Sequence, residues 1–145
     1  MDNSLYEQDF HAWTERQAEL LRARDFTHAD IDNIVEEIES MGRSERRELT
    51  NRLAVLLLHL LKWRFQPAFR GNSWRLTIKA QRHSLTEHLR DNPSLKSRLD
   101  QVMANAYMGA RIEAERETGL AAETFPEAAP FTFAQAIDGD FWPDA

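Results

Sequence analysis

The stretch from Ser44 to Phe65 limits what this chain can fold into more than any other. Leu49, Leu53, Leu56 and Leu60 recur at helical spacing, and the Leu, Ala and Phe positions together cover roughly half of a helical wheel. A helix with so broad an apolar arc has to be surrounded by others, so it is expected at the centre of a bundle. Gln66-Pro67 ends it, because a residue before proline disfavours helical geometry and Pro67 has no N–H to give.

The rest of the chain carries the same period. Tyr6, Phe10, Trp13, Leu20 and Leu21 share one face of a helix expected over residues 7–23. Asp30 stands where an N-cap should be, before a helix over 31–41 with Ile31, Ile34, Val35, Ile38 and Met41. Gly42 and Ser44 read as a stop and a restart, so a further helix is expected over 45–65. The apolar phase runs on across the glycine, however, and one bent helix is the alternative. Trp74, Ile78, Leu85 and Leu89 predict a helix over 74–90. Asn92-Pro93 opens another, over 93–118, which Gly119 closes in left-handed geometry. The tail, residues 120–145, holds prolines 126, 130 and 143 and room for one short helix near 132–137. Its Phe125, Phe131, Phe133, Phe141 and Trp142 should pack back on the bundle. The expectation is an all-α fold, a single domain over 1–145 with about five helices and an aromatic C-terminal tail.

Composition removes several function classes. There is no cysteine, which excludes disulfides, thiolate metal sites and cysteine nucleophiles. Five scattered glycines build no phosphate-cradling loop. No apolar run reaches the roughly 20 residues that span a bilayer. The acidic opening Met1-Asp2-Asn3-Ser4 does not look like a secretory signal, so a cytoplasmic location away from membranes is expected.

Charge is segregated along the chain. Residues 1–42 carry 11 acidic and 3 basic side chains (net −8), residues 43–98 carry 4 and 13 (net +9), and residues 99–145 carry 9 and 2 (net −7), summing to −6. The basic block could present a nucleic-acid face, with Trp63, Phe65, Phe69 and Trp74 available to stack on bases. Flanking acidic helices could equally neutralise it within the molecule, and that reading is preferred because a bundle sets those helices side by side.

The whole chain resembles a bacterial family known as Domain of Unknown Function 29. The strings that carry the resemblance include Leu5-Tyr6-Glu7-Gln8-Asp9-Phe10, Ile34-Val35-Glu36-Glu37-Ile38-Glu39-Ser40-Met41-Gly42, His59-Leu60-Leu61-Lys62-Trp63, Ser73-Trp74-Arg75-Leu76 and the closing Asp140-Phe141-Trp142-Pro143. The resemblance implies an all-helical protein and brings with it no activity, substrate or catalytic residue.

Candidate chemistry is sparse. Glu7, His11 and Glu15 line one helix face but lack a fourth ligand, so no metal and no cofactor is expected. His83 and His88 lie about 140° apart on a helix and cannot share an ion from one face. Glu36, Glu37 and Glu39 are expected to be solvated or paired with Arg43 or Arg46. Three pairs, Arg22/His28, Arg52/His59 and Arg82/His88, fit the Arg-x(4–6)-His spacing of metal-independent HEPN ribonucleases. Of these Arg52 and His59 share a helix face, about 20° apart, and are the catalytic candidates if the chain is an enzyme.

Trp63, Phe69, Arg70, Trp74 and Arg75 form the segment expected to bind, since aromatics and guanidinium groups concentrate at interface hot spots. The leading expectation is a non-catalytic helical protein-interaction module, with a protein partner or a second copy of itself. The alternative is a nucleic-acid-directed protein acting through residues 43–98, at its extreme the ribonuclease.

Overall fold

The computed structural model describes residues 3–144, so Met1 and Asp2 of the acidic opening and the final Ala145 of the tail lie outside the described residues. The fold is all-α, with no strand among the described residues. Helices α1 (Asn3–Gln8), α2 (Phe10–Arg22), α3 (Ile31–Phe65), α4 (Asn72–Asp91), α5 (Leu99–Thr118) and α6 (Phe133–Ile137) follow in order. None is long and apolar enough to cross a membrane. The contacts group the chain into two compact units, Met1–Ser44 and Glu45–Ala145, with α3 passing through the boundary.

The first unit is α1, α2 and the start of α3. One helix was expected over 7–23, but the chain breaks at Asp9, which is non-helical at φ −146° and caps α2 by accepting from the Ala12 N–H. A short polar residue that can satisfy a free backbone donor competes well with helix continuation. Arg24 adopts the left-handed conformation at φ 60° after α2, and the Asp25 N–H reaches back to the Leu20 carbonyl to close that end. Buried polar groups organise this unit. The Asp30 carboxylate accepts from Trp13 Nε1 at 3.0 Å and from Asn33 Nδ2 at 2.7 Å, while its backbone N–H donates to Gln17 Oε1. Asp30 stands directly before α3, its carbonyl accepting from the Ile34 N–H, and its carboxylate also ties α2 to the start of α3. Tyr6 donates to Glu37, a bond that pushes the phenol up to about 12.

The second unit contains the hydrophobic core. Leu49, Leu53, Leu56, Leu57, Leu60 and Leu61 are fully buried, which is the central position the leucine arc implied. Around them pack Ile78 and Leu85 of α4, Val102, Ala106 and Ala110 of α5, and Phe125, Phe131 and Ala136 of the tail. Thr132 and Gln135 cap α6 reciprocally, giving the short tail helix its start.

Two boundaries differ from expectation. Asn92 was expected to cap the next helix, but its amide donates to the His88 carbonyl at the end of α4, and Pro93–Arg98 form a 3-10 turn before α5 begins at Leu99. The expected break at Gly42 is absent, and α3 runs unbroken from Ile31 to Phe65. A lone helical glycine costs about 1 kcal/mol, too little to stop a helix continued by Glu45, Arg46, Arg47 and Glu48 with no proline nearby. Gly119, by contrast, is left-handed at φ 73° as its C-cap role requires.

The two glycines should therefore respond in opposite ways to alanine. Gly42→Ala removes excess unfolded-state freedom at an exposed helical site and should stabilise the chain by about 0.5–1 kcal/mol. Gly119→Ala should destabilise it by about 1–2 kcal/mol, the cost of an L side chain in left-handed geometry, since a Cβ there meets nothing within 4 Å. Urea denaturation of the two variants checks both signs.

Candidate functional site

The second unit has a cleft of about 580 Å³ walled by two tryptophans and floored by cations. Arg75, Lys79 and Arg82 are spaced i, i+4, i+7 along α4, which sets them on one helix face. Trp63, near the end of α3, meets Trp142 of the tail at a ring separation of 4.7 Å. Gly139 completes the lining.

Arg82 holds this arrangement together. It is only 5% exposed, yet its partners are carbonyls and not a carboxylate. Nε donates to the Ala136 carbonyl at 2.7 Å, Nη2 donates to the Phe141 carbonyl at 2.6 Å, and the guanidinium lies 5.2 Å from the Trp142 ring. Burial presses its pKa below the usual arginine value, with the charge of Asp138 opposing. Nη1 has no hydrogen-bond partner among the described residues. A buried cation held by neutral carbonyls, lining a cleft beside Arg75 and Lys79, is electrostatically matched to an anion.

The residues singled out in sequence divide by role. Trp63 and Arg75 line the cleft. Arg70 is a clamp: it donates to the Trp63 carbonyl at 2.6 Å, sits 5.2 Å from the Trp63 ring and reaches the Pro143 carbonyl and Asp144 in the tail. Trp74 is covered by Lys62, whose buried Nζ stands 4.8 Å from the ring and 3.3 Å from Glu117. Phe69 is 67% exposed and stands free for contact. Sequence reading missed Lys79, Arg82 and Trp142. The i, i+4, i+7 cationic spacing was a usable signal for the first two, whereas the docking of Trp142 depends on where the tail folds.

A model of the family described as "Domain of unknown function DUF29" matches residues 5–142 of the chain. The chain belongs to that family. No curated protein and no solved structure matches it.

The remaining candidates of this DUF29 chain are scattered. Arg52 donates through Nε and Nη2 to Glu48 and faces a second cleft, of about 540 Å³, which His83 and His88 also line. His59 does not line that cleft, and its Nδ1 donates to the Val55 carbonyl at 2.8 Å. Arg82 lies in the tryptophan cleft and His88 in the other, and His28 pairs with Asp25. His11 pairs with Glu15 in the open, and Glu36 pairs with Arg43 at 2.9 Å as expected.

Burial pushes the His59 imidazole below its ordinary value of 6.5; the Val55 carbonyl opposes this and the charge of Lys62 adds to it. The folded state thus resists a proton that the unfolded state accepts. Stability from this group is full above the unfolded value and falls as pH drops through it. Melting temperature should decline between about pH 7.5 and about pH 5.5, and His59→Gln should flatten that decline. Equal slopes in the two proteins would contradict this placement of His59.

Proposed function

We propose that the chain is a non-catalytic binding module that captures a protein partner through the tryptophan cleft and the exposed surface beside it. The observation that carries the reading is the buried Arg82 guanidinium, held by two carbonyls and in no ion pair among the described residues, on the same face as Arg75 and Lys79. Two rings 4.7 Å apart supply apolar walls, and Phe69 and Leu76 add exposed apolar area nearby on the same unit. The matching partner is an acidic protein segment carrying an apolar side chain, because desolvated cation–carboxylate pairs beside aromatic anchors give both strength and direction. Residues 1–42 of a second copy, at net −8, have the right charge, so self-association is one form of this reading.

A second reading has its own observation. Arg46, Arg47 and Arg98 surround a smaller cleft of about 220 Å³ with Thr50, Gln101 and Asn105, a donor-rich surface that suits phosphates of a nucleic acid.

One experiment separates them. Arg75 and Lys79 are exposed, so reversing both to glutamate should leave the fold intact. A tagged chain is used to recover partners from nuclease-treated native lysate, and light scattering reports its own mass. The interaction reading predicts a stoichiometric protein, or a dimer, that survives nuclease and is lost in the Arg75→Glu/Lys79→Glu variant with unchanged melting temperature. Capture that ignores the double reversal contradicts the cleft assignment. Partners that vanish with nuclease, and respond to Arg46 and Arg47 instead, establish the nucleic-acid reading.

A further inference from the structure

Residues 43–98 hold only four acidic side chains against thirteen basic ones: Glu45, Glu48, Glu87 and Asp91. All four line the second cleft; of the thirteen cations only Arg52 lines it with them, while Arg90 pairs with Glu87 at 2.6 Å. Helix geometry explains how this escapes the sequence. Glu45 and Glu48 are one turn apart on α3, Glu87 and Asp91 one turn apart on α4, and packing the two helices brings both pairs to one place. Like charges gathered this way repel, and a cation relieves the repulsion.

His88 supplies a second, independent indication. Its side chain is 8% exposed, and Nε2 donates to the Glu45 backbone carbonyl at 2.8 Å. With Nε2 given to that carbonyl, the other ring nitrogen, Nδ1, faces Glu48 Oε2 at 3.3 Å, and Glu45 Oε2 stands 3.5 Å from Nε2. A backbone carbonyl holding the far N–H is the usual support of a metal-binding histidine. Glu48 is supported in the same way: Arg52 occupies Oε1 through Nε at 3.1 Å and Nη2 at 2.9 Å, leaving Oε2 for another partner. Positive charge between Nδ1 and Oε2, a proton or a metal ion, makes this approach favourable. Ligand atoms of Glu45, Glu48 and His88 all fall within 4.8 Å of one another. Two ligands of a tetrahedral ion with bonds of about 2.1 Å stand about 3.4 Å apart, close to the separation of Nδ1 and Oε2.

We propose that Glu45, Glu48 and His88 form a binding site for a first-row divalent transition-metal ion such as Zn²⁺. One imidazole and two carboxylates suit such an ion better than Mg²⁺, which favours oxygen ligands and retained water. Three protein ligands leave a coordination position open to water or to a ligand from the cleft.

The test is Zn²⁺ titration of the full chain after dialysis against chelator, followed by calorimetry and by metal analysis after gel filtration. One ion per chain is expected. Glu48→Gln and His88→Gln should each weaken binding by at least about tenfold, and His11→Ala, at the exposed His11–Glu15 pair, should not. Circular dichroism checks the fold; should His88→Gln unfold, the Glu45→Gln/Glu48→Gln variant on the α3 face carries the test. No retained zinc would mean that a proton on His88 satisfies the carboxylates and would overturn the proposal. So would binding that the cleft variants leave unchanged.

Discussion

The tryptophan cleft of the second unit depends on one buried guanidinium. Arg82 leaves α4 and takes two backbone carbonyls of the tail, at Ala136 and Phe141, with Trp142 against its face. Charge-assisted hydrogen bonds of this kind contribute about 1.5–3 kcal/mol each, enough to select one path for a tail that has only five residues of α-helix. Without that path Trp142 has no fixed position, and Trp63 loses the ring packed against it. The fork geometry matters as much as the charge, because a planar guanidinium addresses two carbonyls at once and a lysine ammonium does not.

The leucine helix makes this possible from the other side. Its fully buried leucines at 49, 53, 56, 57, 60 and 61 set α4 in place through Ile78 and Leu85, which fixes the face that carries Arg75, Lys79 and Arg82. The same helix pair also presents the Glu45–Glu48–His88 group from other faces. Two clefts of opposite character thus share α3 and α4, one cationic and aromatic, the other acidic with imidazoles. The four acidic residues of the basic block at 43–98 gather at the second cleft, while three of its cations line the first.

How much of this was legible in the sequence follows from the range of the forces involved. The helical class, the central leucines, the left-handed Gly119 and the short helix near 132–137 rest on periodicity and local punctuation, and all were readable. The break at Asp9, the continuity through Gly42 and the use of Asn92 at the end of α4 are decided by local balances of about 1 kcal/mol, and there the reading failed. At the tryptophan cleft Trp63 and Arg75 could be picked out as an aromatic and a guanidinium near a helix end, and the i, i+4, i+7 spacing marked Lys79 and Arg82 with them. The meeting of Arg82 with Trp142 could not be read, since it joins residues 60 positions apart (142 − 82). The carboxylate group was missed for the same reason: a search along one helix cannot see ligands shared by two.

The most direct test of the account is hydrogen exchange in Arg82→Lys, which keeps the charge and loses the fork. The amides of Ala136, Asp138 and Phe141, all bonded within the tail, are the reporters. The account predicts exchange at these sites faster by at least about tenfold, with the protection of α3, α4 and α5 retained. Unchanged protection across residues 136–141 would show that the tail is held without Arg82, by its aromatics and the Arg70 clamp, and that Arg82 does not build the cleft.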